Sequence, residues 1–307
     1  MGLAGLLLAG ALLPQWLLFL MTMAASHGLA ILGVVVLTRG GGATFGQGLF
    51  FAIGAYVAAL LSDWMGVQDA LLRVFAGGLI AGATGAVVAP LLARYRGIFF
   101  AMLSLALSMV GYGLLSKSTR LGGSDGFNLA RPTLLGRVVS GDGADFVIYA
   151  LTIVVAAGCA ALVGRYFRSS AGLVSRAVRS NGLRVEYLGA SPQRSLAVNF
   201  VIACVLGGMG GALTAIALGH VDPQFAYWTT SGEFVFAAIL GGYQSVLAAF
   251  VASFGLEVVR SFSNLYFPNS WQLVLGVFLL IVVWILPQGI GSLWTGRRRI
   301  RAREQVQ

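Results

Sequence analysis

Few residues in this chain have the chemistry of catalysis, and their spacing builds no catalytic constellation. The histidines are His27 and His220, the cysteines Cys159 and Cys204, all far apart in sequence. No His-x-x-x-His or Cys-x-x-Cys metal motif results. The cysteines lie inside apolar segments and read as small core residues. The histidines fall at ends of apolar segments and read as interfacial. A phosphate-cradling loop needs Gly-x-x-x-x-Gly-Lys-Ser/Thr. Gly111-Tyr-Gly-Leu-Leu-Ser-Lys117-Ser118 carries Ser116 where the second glycine belongs. The chain therefore reads as unable to hydrolyse ATP itself, with no catalytic residue, metal or cofactor expected. Gly122-Gly-Ser-Asp-Gly126 lacks the regularly spaced acids of an ion loop and reads as a tight turn around Asp-Gly.

The remaining polar chemistry sits in apolar surroundings. Ionisable groups at membrane depth cost about 2.5–3.5 kcal/mol each by insertion scales, which singles out Glu233 and Glu257. Arg260 lies three residues after Glu257 and is its expected partner. Glu233 follows Thr229-Thr230-Ser231-Gly232, where a helix dipole would favour a carboxylate. Ser104, Ser108 and Tyr112 recur at i, i+4 and i+8, a polar stripe along one helix face. It lines a path through the membrane or bonds to neighbouring backbone.

These residues must be positioned by an all-α polytopic membrane protein. Of 307 residues, 58% are hydrophobic and 10% charged, against roughly 25% charged in a soluble domain. A span needs about 20 apolar residues. Candidate segments are 3–23, 27–37, 43–62, 70–93, 97–116, 145–165, 195–219, 231–243, 245–262 and 271–290, suggesting about 8–10 spans. The first reads as a retained span and not a signal peptide, because no basic stretch precedes it. Segments 27–37 and 231–243 are too short to cross alone and end in glycine-rich breaks. Such pairs point to discontinuous helices, an internal repeat and a translocation path. They nominate Thr44, Gln47, Gly241 and Gly242, with Glu233 and the stripe, as path residues. Gly42-x-x-x-Gly46, Gly78-x-x-x-Gly82 and Gly207-x-x-x-Gly211 have the spacing that lets helix backbones touch.

The longest polar interruption is residues 165–194. It holds Arg165, Arg168, Arg176, Arg179, Arg184 and Arg194 against one acid, Glu186. Ala171 to Ser180 reads as an amphipathic helix, Gly182 as its left-handed cap, and Leu183 to Leu188 as a second turn stopped by Gly189. Ser191-Pro192 then supplies an N-cap and first-turn proline. If this loop is cytoplasmic, alternation also places Arg39, Arg94, Arg96 and the tail arginines 297, 298, 299, 301 and 303 inside. Fourteen of the twenty cations then lie on one side, which favours both termini inside. The net charge of +10 is thereby a topology signal, and nucleic acid is not an expected partner. Residues 1–296 read as one transmembrane domain, with an extracytoplasmic loop at 117–145 and a basic tail at 297–307.

Several stretches resemble the permeases of branched-chain amino acid ABC importers, the leucine/isoleucine/valine systems. They are Thr44-Phe-Gly-Gln-Gly-Leu-Phe-Phe-Ala-Ile-Gly-Ala-Tyr56, Tyr95-Arg-Gly-Ile-Phe-Phe-Ala-Met-Leu-Ser-Leu-Ala106, Gly122–Gly126, Glu186-Tyr-Leu-Gly189, Gly207-Gly-Met-Gly-Gly-Ala-Leu213 and Leu286-Pro-Gln-Gly289. The Arg-Gly-Ile-Phe-Phe-Ala stretch with Gly-Gly-Ser-Asp-Gly resembles the longer of the two paired permease types. Family members usually carry Leu-Gly-His-Ala where Phe45-Gly-Gln-Gly48 stands here, and they include permeases for urea, short amides and other amino or organic acids. The resemblance implies a transport subunit of the bacterial inner membrane, working with a second permease, two cytoplasmic ATP-binding subunits and a periplasmic substrate-binding protein. It also implies that the 165–194 loop docks the ATPase. Arg176, Arg179, Glu186, Leu188 and Gly189 are the expected coupling residues, with cations outward and Val174, Ala177, Val178 and Leu188 as buried contacts. An ion-coupled secondary transporter is the competing class, and it requires an acid in mid-span.

Overall fold

Among the described residues, seven helices are long and apolar enough to cross a membrane. The computed structural model describes Gly10 and residues 14–285, except 130–131, 135–136, 139–142, 243–244 and 267–269. Helix α1 spans Gln15–Arg39, α2 Gln47–Trp64, α3 Ala70–Leu92, α4 Ile98–Lys117 and α5 Ala144–Arg168. Two short helices follow, α6 at Ser170–Ser180 and α7 at Gly182–Tyr187. Then come α8 at Pro192–Leu218, α9 at Trp228–Gly241, α10 at Val246–Tyr266 and α11 at Trp271–Ile285. The seven long apolar ones are α1 to α5, α8 and α10. The polytopic all-α class is thus as expected.

The first two expected spans differ from the structure. Segments 3–23 and 27–37 were separated at residues 24–26, yet α1 runs through them as one 25-residue helix. The reason is local. Ser26 Oγ donates to the Thr22 carbonyl at 2.9 Å and Thr22 Oγ1 to the Leu18 carbonyl at 2.8 Å, so their polarity is absorbed by the helix. At 1.5 Å per residue α1 reaches about 37 Å, enough for a full crossing. The start of α1 consequently lies across the membrane from Arg39. Both chain termini lie outside the described residues. Of the two short segments, only the second persists: α9 has 14 residues and ends where Gly242 turns at φ +76°.

Helix α8 is the centre of the bundle and packs against α1, α2 and α3. A lipid-solvated helix gains little from hydrophobic burial against another helix, so close packing must hold the bundle. Glycine makes that possible at Gly208. A Cβ there would sit 2.7 Å from the Gly77 carbonyl oxygen, and a Cβ on Gly54 would overlap the Gly208 carbonyl. Gly211 likewise backs onto the Phe51 carbonyl, so the Gly207–Gly211 spacing marks a helix contact as read. Gly78 and Gly82 admit the Met209 and Val205 side chains of α8, while Gly42 and Gly46 lie in the turn before α2.

By contrast α4 presents Phe99, Met102, Val110 and Leu114 outward. Its inward face carries Ser104 and Ser108, so the stripe faces the protein. On the opposite side of the bundle from the 165–194 loop, β1 (Phe127–Asn128) pairs antiparallel with β4 (His220–Val221). Strand β2 (Thr133–Leu134) pairs with β3 (Arg137–Val138). Gly122, Gly123 and Gly126 all have positive φ, and Asp125 is exposed beside Ser124, so this stretch is the expected tight turn. The Gly111–Ser118 stretch is helical through Lys117, with its amides committed to backbone bonding.

Candidate functional site

Three polar arrangements stand out, and the sequence points to parts of each. The first surrounds the turn that feeds α2. The first amides of a helix have no intrahelical partners, and in a membrane they need protein acceptors. Thr44 Oγ1 accepts from the Gly46 amide at 3.1 Å, Ser104 Oγ from the Phe45 amide at 3.1 Å, and Ser231 Oγ from the Gly48 amide at 2.8 Å. Gln47 Nε2 donates to the Ala203 carbonyl at 2.9 Å, and Ser108 Oγ to the Ala226 carbonyl at 2.8 Å. Thr44, Gln47, Ser104, Ser108 and Ser231 are all buried. Tyr112 is half-buried, its ring 4.9 Å from that of Tyr227. These path candidates are brought together, but as fasteners joining the α1–α2 turn to α4, α8 and α9. Gly241 and Gly242 are buried at the far end of α9 and do not join them. Ser231 was missed as a partner; its signal was the Thr-Thr-Ser-Gly run ahead of a short helix.

The second arrangement is the 165–194 loop. Helix α6 begins with Ser169, whose hydroxyl caps the Gly172 amide at 3.3 Å. Gly182 is not a left-handed cap. Asn181 is extended instead, and its side chain accepts from the Arg184 amide at 3.0 Å, so it starts α7. Gly189 does stop the second turn, at φ +84°, and Ser191 Oγ caps α8 through the Arg194 amide. The buried face of the loop also differs from the expected one. Gly172, Ser175 and Val185 are buried, Val174 and Val178 are half-buried, and Ala177 and Leu188 are exposed.

Asn199 explains this, and sequence reasoning missed it. From within α8 its Oδ1 accepts from Tyr166 OH of α5, and its Nδ2 donates to Ser175 Oγ of α6, both at 2.6 Å. Gly40 packs against the same amide, and Gly41 against the backbone of Arg179. The Arg39 guanidinium lies 4.0 Å over the Phe167 ring. Helix α6 is thereby clamped to α5, α8 and the α1–α2 turn. What it leaves exposed is mixed: Arg176, Arg179, Arg184 and Glu186 beside Leu183, Tyr187 and Leu188, the last three 68%, 91% and 80% exposed. These three side chains form an exposed apolar patch beside the charges.

The third arrangement is ionic. His27 lies midway along α1 and not at a membrane surface. Its Nδ1 is 2.6 Å from Glu257 Oε1, which also accepts from Arg260 Nη1 at 3.3 Å. Arg260 Nη2 in turn pairs with Glu233. The Glu257–Arg260 pair was legible from its i, i+3 spacing. Glu233 stands in the second turn of α9, not the first, and binds Arg260. His220 bonds Asn128 Oδ1 at 2.8 Å beside the β1–β4 pair. Cys159 and Cys204 are free and buried. Among the described residues no group of three or more His, Cys, Asp or Glu could hold a metal.

Known proteins complete the picture. The chain is 28% identical over 278 residues to the high-affinity branched-chain amino acid transport system permease protein LivM of Escherichia coli K12, covering 83% of this chain and 65% of LivM. It therefore spans about two thirds of that relative's length. LivH of Salmonella typhimurium is 26% identical over 272 residues, covering 80% of this chain and 84% of LivH. BraD of Pseudomonas aeruginosa is 25% identical over 264 residues, with the same coverages. Of the two Liv types the longer, LivM, fits better. No solved structure matches significantly. A family model matches residues 16–284, from the start of α1 almost to the end of α11, and the chain belongs to that family, the permease component of the branched-chain amino acid transport system.

Proposed function

We propose that this chain is a membrane subunit of an ATP-driven bacterial importer for branched-chain amino acids or similar small polar solutes, and that residues 170–189 receive the motion of a cytoplasmic ATPase. One observation carries the coupling reading: the loop leaves Leu183, Tyr187 and Leu188 exposed beside arginines, while Asn199 holds its other face to the bundle. An apolar centre with a charged rim suits a docking contact, the charges serving steering and register more than affinity. A rigid clamp beneath that contact lets docked movement reach the α1–α2 turn.

In this reading the loop is cytoplasmic, a second permease completes the translocation path, and a periplasmic binding protein delivers the solute from the β1–β4 side. Thr44, Gln47, Ser104, Ser108, Tyr112, Glu233, Gly241 and Gly242 remain its path residues, and the bonds of Thr44, Gln47, Ser104 and Ser108 exchange when the path opens. The 28% identity to LivM supports branched-chain amino acids over urea, amides or organic acids.

The test is uptake by proteoliposomes holding the assembled importer. Paired substitution Arg176→Glu with Leu188→Asp should abolish ATP-driven uptake while solute capture by the binding protein persists. Undiminished uptake refutes the coupling assignment. The ion cluster of α1, α9 and α10 supplies the intramembrane acid that a secondary transporter requires. Accumulation on an ion gradient by the chain without an ATPase would therefore favour that class.

A further inference from the structure

The arginines on the side of the 165–194 loop lack carboxylate partners. Among the described residues, none of Arg94, Arg96, Arg165, Arg168, Arg176 and Arg184 makes a salt bridge, and neither does Glu186, the one acid of that loop. Arg94 and Arg96 differ from the others in what lies beneath them. Helix α3 ends at Leu92, the Tyr95 amide donates back to the Leu92 carbonyl at 3.1 Å, and Gly97 reverses the chain at φ +60° into α4. This tight turn joins two spans. Arg94, Tyr95 and Arg96 are all exposed on it and therefore stand at a membrane surface, whichever way the protein is oriented. The Arg96 guanidinium also lies against the start of α7, where a Cβ on Gly182 would come 2.7 Å from its Nη1.

The surface that continues from the turn is apolar. Every residue that α3 exposes is apolar, and so is every one that α4 exposes before Lys117. Val87 and Leu91 of α3 and Ile98, Phe99 and Met102 of α4 flank the turn, and beyond it the two helices touch little. An occupant that satisfies this surface is apolar along the spans and anionic at the turn. A protein docked from the aqueous side meets only the charges. A phospholipid with an acidic headgroup meets both parts. Guanidinium groups take phosphate oxygens through a planar fork, and basic sites beside membrane helices hold acidic headgroups. With two cations and no acid at the turn, a net negative headgroup is favoured over a zwitterionic one.

We infer that the α3–α4 turn is a site for an anionic phospholipid, its phosphate held by Arg94 and Arg96 and an acyl chain lying along Ile98, Phe99 and Met102. The site is separate from the exposed patch of Leu183, Tyr187 and Leu188, and it does not depend on the importer reading. Because Arg96 lies against Gly182, the headgroup sits beside α7 and braces the loop from the membrane side.

Native mass spectrometry of the full chain, with lipid added in detergent, compares phosphatidylglycerol with phosphatidylethanolamine of the same acyl chains. An acidic headgroup gains about fivefold in affinity per neighbouring arginine, so phosphatidylglycerol should bind about twentyfold more tightly. Arg94→Gln with Arg96→Gln should erase that preference, and exposed substitutions of this kind leave the fold intact. Arg94→Lys with Arg96→Lys keeps the charge and should retain most of the preference. Lys117→Gln with Arg120→Gln removes two cations at the other end of α4 and should leave it unchanged. Equal binding of the two lipids would overturn the site, and so would an equal loss from the Lys117 and Arg120 pair, which would mean that charge anywhere on the protein attracts the lipid. In the assembled importer, Phe99→p-benzoylphenylalanine should crosslink to phospholipid on illumination. A crosslink to another protein subunit in its place would show that protein covers this face, and would overturn the lipid site as well.

Discussion

Replacing Asn199 with alanine is the sharpest probe of how the cytoplasmic loop is tied to the bundle. The side chain makes two short bonds, to Tyr166 OH and Ser175 Oγ, and is itself fully buried. Its loss removes both and strands two hydroxyls away from water. An ordinary hydrogen bond contributes about 0.5–1.5 kcal/mol net, and a stranded buried group costs about 1–3 kcal/mol. Allowing for rotation of the Tyr166 and Ser175 hydroxyls to other acceptors, docking of α6 should weaken by about 3 kcal/mol. At 1.4 kcal/mol per factor of ten, that makes local opening about a hundredfold more frequent. Hydrogen exchange of residues 170–180, followed by mass spectrometry in nanodiscs, measures this directly. Tyr166→Phe breaks only one of the two bonds and should raise exchange about fivefold, near 1 kcal/mol. The amides of α8 around residue 208 should stay protected in both variants. Unchanged exchange across α6 in Asn199→Ala would refute the clamp, and with it the proposed route from loop to turn.

Two further outcomes test the packing. Gly208→Val drives a branched side chain into the Gly77 carbonyl and the Ala81 methyl, so the variant should fail to accumulate as a monodisperse protein in mild detergent, whereas Gly113→Ala, which meets open space, should behave as wild type. Cys159 and Cys204 are buried and free, so a membrane-permeant maleimide should label neither until the protein is unfolded. Rapid labelling of either in the native protein would contradict this packing.

Much of the architecture was written in local pattern. Length and hydropathy identify the spans, the Gly207–Gly211 spacing marks a true helix contact, and Gly189 with Ser191-Pro192 brackets the start of α8. Local reasoning failed where a polar residue found its partner on another helix. Residues 24–26 looked like a break because the sequence does not show Ser26 bonding backward or His27, just after them, meeting Glu257 across 230 positions. Asn199, alone in an apolar run, carried no pattern at all, yet it joins three helices. Ser104 and Ser108 were correctly placed on one face. Whether that face meets solute or backbone depends on what packs opposite, which no single-helix periodicity encodes.

The backbone contact among Gly54, Gly77 and Gly208 has a mechanical consequence. Where main chains of α2, α3 and α8 touch without intervening side chains, neither sliding nor rotation is possible without collision, because packed interiors do not deform continuously. These three helices form a stator. Helix α4 is held differently, with few residues of its own buried and with Ser104 and Ser108 each grasping backbone on the opposing elements. Hydrogen bonds of that kind can be exchanged one at a time. Whatever opens a passage through this protein should leave the three-helix block unmoved and swing α4 against it like a shutter, with two serine hydroxyls as its latches.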